Sequence, residues 1–382
     1  MNITVIIRIS SLGDVAILLP ALYTIATENP NDRFFFITLK QHRKIFVKRP
    51  SNIQIISLDT KKQDKGIAGI FRLAITTVSL IRKYIKYSGV SYSKANIRIA
   101  DMHSVLRSHI FRILLKIMIL RPVKTAIIDK GRREKAALCR PENKVLKQLK
   151  TTYQRYLDTF ARIGYKPRTQ FKSIYPERDR NNLFNIGIAP MAGHPSKTWS
   201  LENMEELIRI LTENPRVRIF LFSTPRDKYV KMLTGKYPHV YNSSSESKKP
   251  QELGIMNRLD VMVSMDSANM HLASLVAVPV ISIWCSTHPY AGFYGYGQDP
   301  SYAILPSRNL SCHPCSVYGN VPCPRGDYAC KKTIDVGVVK SKIWRVISAT
   351  KPKIRVKKTK KPIRHTGSPP HGSPSAPSPA DE

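Results

Sequence analysis

Acidic residues are scarce. Only 26 aspartates and glutamates stand against 62 lysines and arginines in 382 residues, giving a net charge of +36. Such a field draws polyanions: nucleic acid, an anionic membrane surface or phosphorylated substrates. Long apolar runs are also missing. No stretch reaches the roughly 18 uncharged apolar residues of a membrane-spanning helix. The apolar start MNITVIIRIS lacks a basic leader region and a small-residue cleavage site, so no secretory signal is expected. The expected location is cytoplasmic, where six cysteines stay reduced. The phosphate loop GxxxxGK[ST] is absent, and so is GxGxxG, which weakens an NAD-binding reading. No RNP, KH or helix-turn-helix pattern is present, and aromatics are not interleaved with the basic runs. A basic nucleic-acid-binding protein therefore has only the net charge and the lysine-rich tail in its favour.

What is present is a strand-helix alternation. NITVIIRI leads into DVAILLPALYTIATEN, RFFFITL into a short helix and then IQIISLD, and a long apolar helix follows, IAGIFRLAITTVSLIRKYIKY. NIRIADMH leads into SVLRSHIFRILLKIMILRP and then KTAIID. KGRREKAAL and NKVLKQLKTTYQRYLDTFARIGY read as connecting helices. The second half repeats the logic through NIGIAP, LENMEELIRILTEN with Ser200 as N-cap, RVRIFLFS, DVMVSM, SANMHLASLVA and PVISIW. Alternation of this kind predicts α/β halves with parallel sheets. The expected organisation is an N-terminal Rossmann-like domain over 1–175 and a C-terminal one over 176–335 with a Cys-rich loop at 310–333. A closing helix over 336–349 and a disordered Lys/Pro/Ser-rich tail over 350–382 complete it. Ligands of such sheets sit beyond the carboxyl ends of the strands, so the natural site is a cleft between the two halves.

Five stretches could carry chemistry. In RISSLGDV, Gly13 permits a sharp turn and close approach of a substrate, and Asp14 is either a helix cap or a chemical group. In APMAGHPSKTW, Ser196, Lys197 and Thr198 make a candidate phosphate site or an ordinary loop. In SMDSANMHLAS, Asp266 ends a strand, and Ser267 and Ala268 open a helix whose free N–H groups form an anion site. His271, in the same stretch, is a site residue or a core histidine. DMHSVLRSHIFRILLKIMILRP and DKGRREKAALCR are basic stretches, read as solvated faces or, for the first, a helix lying on a membrane. Cys312, Cys315, Cys323 and Cys330 are either free thiols or ligands of a structural zinc, although the usual second CxxC knuckle is missing.

Taken together, RISSLGDVAILLPAL, DMHSVLRS, GHPSKTWSLENM and the stretch from SMDSANMHLASLVAVPVISIWCSTHP to GFYGYG resemble the ADP-heptose:lipopolysaccharide heptosyltransferases, glycosyltransferase family 9. The cysteine segment resembles a tail found in part of that family. The resemblance runs from about residue 1 to 348. It implies a GT-B fold, two Rossmann-like domains facing across a cleft. It also implies inverting, metal-independent transfer of heptose from ADP-heptose to a lipid A/inner-core acceptor in lipopolysaccharide core biosynthesis, without a cofactor. Another sugar nucleotide serving another surface glycan is the alternative. On the family pattern Asp14 is the general base. Lys197, Ser196, Thr198, Asp266, Ser267, Ala268 and His271 fall on the donor side. Ser11, Gly13, Arg107, Lys130 and Arg132 fall on the acceptor side. The implied partners are a sugar nucleotide and a lipid-linked anionic acceptor, with the enzyme peripheral to the cytoplasmic face of the inner membrane. The chain departs from the pattern at Cys285, where a side chain in place of glycine would narrow the donor pocket. It departs again at FSTPRDK, where Asp227 is a candidate ribose contact, and at Ala268, which replaces glycine and keeps its N–H.

Overall fold

A run rich in Ile, Val and Phe, bounded by polar residues, suits a strand buried on both faces, as in a parallel sheet covered by helices. NITVII and RFFFITL are such runs, and the computed structural model folds both as central strands. It describes residues 1–60, 64–175, 182–224, 226–243, 252–306 and 310–350. The tail over 351–382 and the expected boundary near 176–181 lie outside the described residues.

The first sheet holds β1 (Asn2–Ile7), β2 (Arg33–Leu39), β3 (Ile53–Leu58), β4 (Asn96–Asp101) and β5 (Lys124–Ile127). All pairings are parallel, in the order β3-β2-β1-β4-β5. The second sheet holds β6 (Phe184–Ala189), β7 (Val217–Leu221), β8 (Val240–Asn242), β9 (Val261–Met265), β10 (Val280–Ile283) and β11 (Ala303–Ile304). It is also parallel throughout, in the order β11-β10-β9-β6-β7-β8. The short strands β8 and β11 carry too few residues to announce themselves in the sequence.

Three apolar layers hold the sheets. One lies outside the first sheet, where α2 (Gly66–Tyr87) and α3 (Leu106–Ile119) bury Ile70, Leu73, Phe111 and Leu115. The central layer joins both sheets through α1 (Leu12–Glu28), with Tyr156 and Phe160 of a later helix and Met270 and Trp284 of the second half. The third lies outside the second sheet, where α6 (Leu201–Thr212) and the closing helix (Val336–Thr350) bury Met204, Leu207, Ile343 and Val346. Met1–Lys351 forms one compact unit.

Between α3 and α6 lie α4 (Arg132–Leu138) and α5 (Thr152–Arg162). The long helix expected over NKVLKQLKTTYQRYLDTFARIGY is therefore only half formed. Thr151 caps α5 by accepting from the Gln154 amide. The residues before it pair elsewhere: the Leu149 amide donates to the Tyr290 carbonyl at 3.0 Å and the Thr152 amide to that of Gly292 at 2.7 Å. Tertiary pairing thus overrides helical propensity there. The remaining helices are α7 (Lys228–Lys236), α8 (Glu252–Asn257), α9 (Ala268–Leu275), α10 (Ala329–Lys332) and α11, the closing helix. Ser200 caps α6 as its position implies, accepting from the Asn203 amide.

Trp199 is buried, and its indole N–H donates to the Ile334 carbonyl at 3.3 Å, tying the start of α6 to the turn before α11. Removing a buried Trp leaves a cavity and takes one of the two donors, beside the Asn203 side chain, from that carbonyl, so Trp199→Ala should lose about 3–5 kcal/mol of unfolding free energy. Trp199→Phe should lose clearly less. Urea unfolding followed by circular dichroism checks both.

Candidate active site

In each sheet the strand order reverses at one place, between β1 and β4 and between β6 and β9. Ligands of open parallel sheets bind at such switch points, beyond the carboxyl ends. Here the segments leaving β1, β6 and β9 meet around one cavity of about 350 Å³. Ser11, Gly13 and Asp14 line it from the first half. Lys197, Asp266, Ser267, Ala268 and His271 line it from the second, with Gly193, His194, Phe293 and Tyr318 at its walls.

Asp14 stands in the first turn of α1. Its Oδ2 accepts from the Ser11 hydroxyl at 2.8 Å and from the Ser11 amide at 3.3 Å, so it closes the N-terminus of its helix. The same oxygen pairs with the guanidinium of Arg8. Arg8 leaves the end of β1 almost fully buried; its Nη1 donates to the Met102 carbonyl at 2.6 Å, and its guanidinium lies 6.0 Å from the Tyr156 ring centre. Burial alone would push the Asp14 carboxyl up. The Arg8 charge and the two Ser11 donors outweigh it and hold the carboxyl below its ordinary value. The result is a carboxylate ionised at neutral pH, fixed in orientation and about a quarter exposed toward the cavity. Capping and chemistry are thus compatible at this residue. Arg8 itself is not among the residues singled out from the sequence. Its signal was a lone cation inside the apolar run NITVIIRI.

Gly13 differs from expectation. It is the second residue of α1, not the turn, and its backbone needs no left-handed conformation. Its lack of a side chain serves another approach. A Cβ there would stand 3.0 Å from His271 Cδ2 and 3.5 Å from the Ala268 Cα. The N-terminal turns of α1 and α9 touch at this point. His271 is consequently buried, with its Nδ1 unpaired. Burial pushes its imidazole down to about 4, against the pull of Asp266 and Asp14, so it is neutral at pH 7.

Opposite Asp14, Lys197 reaches Asp266 at 3.4 Å, with both side chains mostly buried. Asp266 does not cap α9; Ser267 holds the N-cap position. The first amides of α9 point their partial positive charge toward the cavity wall that Ser267 and Ala268 form. A cation and a helix N-terminus, facing a carboxylate across about 350 Å³, can hold an anionic group beside a proton acceptor.

Other candidates sit elsewhere. Ser196 is buried, giving its hydroxyl proton to the Gly319 carbonyl at 2.6 Å and accepting from Ser286, so it anchors a loop. Thr198 turns back to accept from the Ala192 amide. Neither lines the cavity. Lys130 and Arg132 line a neighbouring hollow of about 400 Å³ with Ser104, whose carbonyl accepts from both at 3.4 and 3.3 Å. Burial and then the charges of Arg8 and Arg132 lower the Lys130 ammonium. Arg107 instead donates to the Asp64 carbonyl. Asp227 caps α7, accepting from the Tyr229 and Val230 amides. Cys285 does not narrow the donor side: it is wholly buried in the outer layer of the second sheet. The four clustered cysteines are free thiols. Burial first, then neighbouring Cys315, Cys323 and Cys312, pushes Cys330 up to about 11, so the four lie near one another. No group of three or more His, Cys, Asp or Glu among the described residues is placed to hold a metal.

The family model for glycosyltransferase family 9 (heptosyltransferase) matches residues 133–321. Compared with curated proteins, the sequence matches none. The fold matches the crystal structure of the glycosyl transferase family 9 from Veillonella parvula DSM 2008 at 14% identity, covering 91% of this chain and 98% of that one, with a TM-score of 0.66. It matches E. coli heptosyltransferase WaaC with ADP at 18% identity, covering 91% and 100%, with a TM-score of 0.58. E. coli ADP-heptose lps heptosyltransferase II follows at 13% identity, covering 91% and 99%, with a TM-score of 0.56. These likenesses establish the GT-B arrangement of the two sheets, as the resemblance implied.

The Arg8–Asp14 pair exists only while Asp14 is ionised. Its stabilisation is complete above about pH 5 and fades as pH falls below about 4, because the folded carboxyl titrates lower than the unfolded one. In Arg8→Met the burial remains and the guanidinium is gone, so the Asp14 midpoint should rise. A carbon-13 NMR titration of its carboxyl reads this directly; an unmoved midpoint would remove Arg8 as the cause.

Proposed function

We propose that this chain, whose residues 133–321 match the glycosyltransferase family 9 (heptosyltransferase) model, is a member of that family and moves heptose from ADP-heptose to a lipid A/inner-core acceptor, with inversion and without a catalytic metal. The observation that carries the reading is the ionised, Arg8-held carboxylate of Asp14 facing Lys197 and the start of α9 across one cavity. In this reading residues 1–175 receive the acceptor and 176–335 the donor. The donor diphosphate rests on the first amides of α9 and on Lys197, which stabilise the negative charge that grows as ADP leaves. The acceptor hydroxyl oxygen attacks the anomeric carbon from the opposite side. Its proton passes to Asp14, and the bond between that carbon and the phosphate oxygen breaks with its electron pair leaving on ADP.

Arg8 gives this step a particular character. It lowers the basicity of Asp14, so the hydroxyl surrenders its proton only as the new bond forms and its acidity rises. The neutral imidazole of His271 keeps cationic charge off the attacking side and leaves it with Lys197. Lys130 and Arg132, in the hollow beside Ser104, suit the phosphates and acidic sugars of a lipid-linked acceptor. Arg107 is held at the Asp64 carbonyl and lines neither the cavity nor this hollow. A lipid-linked acceptor places the enzyme on the cytoplasmic face of the inner membrane, and no helix among the described residues is long and apolar enough to cross it.

Asp14→Asn should keep ADP binding and lose about 10²–10⁴-fold in transfer, read by mass spectrometry of a heptose-deficient acceptor incubated with ADP-heptose. A variant working at the wild-type rate would falsify the base assignment. Lys197→Ala should lower kcat as well as weaken donor binding, since the charge it faces grows as ADP leaves, and EDTA should leave the rate unchanged. A thermal shift with UDP-sugars and none with ADP or ADP-heptose would replace the donor.

A further inference from the structure

Acid is missing from one face altogether. Between Lys65 and Ile128 the sequence has twelve lysines and arginines and a single acid, Asp101. Asp101 is fully buried, paired with Arg112 at 3.5 Å and accepting from the His103 and Ser104 amides. This segment folds as α2 and α3, packed side by side over the first sheet, with the Arg82 guanidinium donating to the Met118 carbonyl between them. Their inward faces fill the layer against that sheet. Their outward faces are also apolar. On α3, Leu106 (77% exposed), Ile113 (54%), Ile117 (61%) and, just past its end, Leu120 (81%) fall at helical spacing along one stripe. On α2, Ile67, Phe71 and Ile75 form a second stripe, each one turn from the next. A hollow of about 830 Å³ opens between the helices, lined by Ile75, Val78 and Met118 and edged by Arg82, Lys83 and Lys86.

Exposed aliphatic stripes flanked by cations, with no surface acid among them, match one kind of partner. The apolar side chains enter the acyl boundary of a bilayer, and the basic rim meets anionic headgroups. A protein partner of ordinary mixed charge would meet uncompensated repulsion from its own cations. The position agrees. Helix α3 begins just beyond the carboxyl end of β4, beside Ser104 and the hollow that Lys130 and Arg132 line. A bilayer lying on α2 and α3 therefore runs up to the acceptor side of the cavity. We propose that the outer face of α2 and α3 docks on an anionic phospholipid leaflet, with Ile113, Ile117 and Ile75 inserted and Arg82, Lys83, Lys86 and Lys116 at the headgroups. The inference rests on the transferase reading only in taking the acceptor to be membrane-held.

The test uses the full chain with vesicles of phosphatidylethanolamine and phosphatidylglycerol, and no nucleotide or acceptor. Ile113→Glu/Ile117→Glu should partition to vesicles at least tenfold more weakly than the wild type in co-sedimentation. The lysine-rich tail is present in both proteins, so its attraction cancels. The uncharged pair Ile113→Gln/Ile117→Gln, at exposed positions that leave the core intact, should lose several-fold. Met232→Glu, at an exposed apolar site on α7, should bind like the wild type. Wild-type-like binding by the Glu pair overturns the proposal. So does a wild-type dimer, seen by analytical ultracentrifugation, that the Glu pair dissolves while vesicle binding persists; the face would then belong to a second copy. Because no donor takes part, a failed ADP shift beside vesicle binding that the wild type keeps and the Glu pair loses removes the ADP-heptose donor and leaves this proposal standing.

Discussion

Everything near the cavity is arranged around one buried cation. Arg8 leaves β1 at the point where the first sheet reverses its strand order. There it touches the Met102 carbonyl after β4, lies near the Tyr156 ring of α5 and pairs with Asp14 of α1. Four elements of the first half thus share one side chain. A charge taken out of water must be paired and hydrogen-bonded or it costs several kcal/mol. That requirement fixes where Asp14 can stand. It fixes the first turn of α1 through Ser11, and the turn in its place sets the wall against which the second half packs.

The two halves of the site carry opposite burdens. On the first, a guanidinium and two hydroxyl and amide donors stabilise a carboxylate and lower its basicity. On the second, Lys197 is tied to Asp266 while the start of α9 offers its amides. An incoming diphosphate would compete with Asp266 for Lys197, so binding there has to exceed an existing ion pair. His271, neutral and enclosed, separates these charges without adding to either. The cavity is narrow at its base, where α1 and α9 meet closely and His271 is buried, and open toward solvent at Asp14.

Much of the architecture was legible because parallel strands covered on both faces must be apolar runs. NITVII, RFFFITL and VMVSM can hardly be anything else. The convergence of Asp14, Lys197, Asp266 and His271 followed from their common position after strand ends. Residues that failed to converge did so for local reasons. Ser196 and Thr198 had backbone groups within reach, and a loop satisfies those first. Asp227 found the open amides of α7. The half-formed helix before Thr152 yielded to pairing with the 289–292 turn, which no local pattern announces. Arg8 was hidden by its surroundings: one cation inside an apolar strand looks like a strand end facing water. The outward stripe of α3 was equally hidden, since a helix apolar on both sides does not reveal which side the sheet takes.

One consequence follows from the contact that Gly13 permits. A Cβ there would stand 3.0 Å from the His271 ring, tighter than such atoms usually come, and 3.5 Å from the Ala268 Cα. Beyond that contact α1 and α9 continue into one shared apolar layer, with Val15, Leu18 and Leu22 on one side and Met270 and Ala273 on the other. The interface is therefore packed along its length and thinnest at its cavity end. The gap between the proton acceptor and the anion-holding wall is set there by the thickness of a glycine, and any larger residue at position 13 would act as a spacer between them.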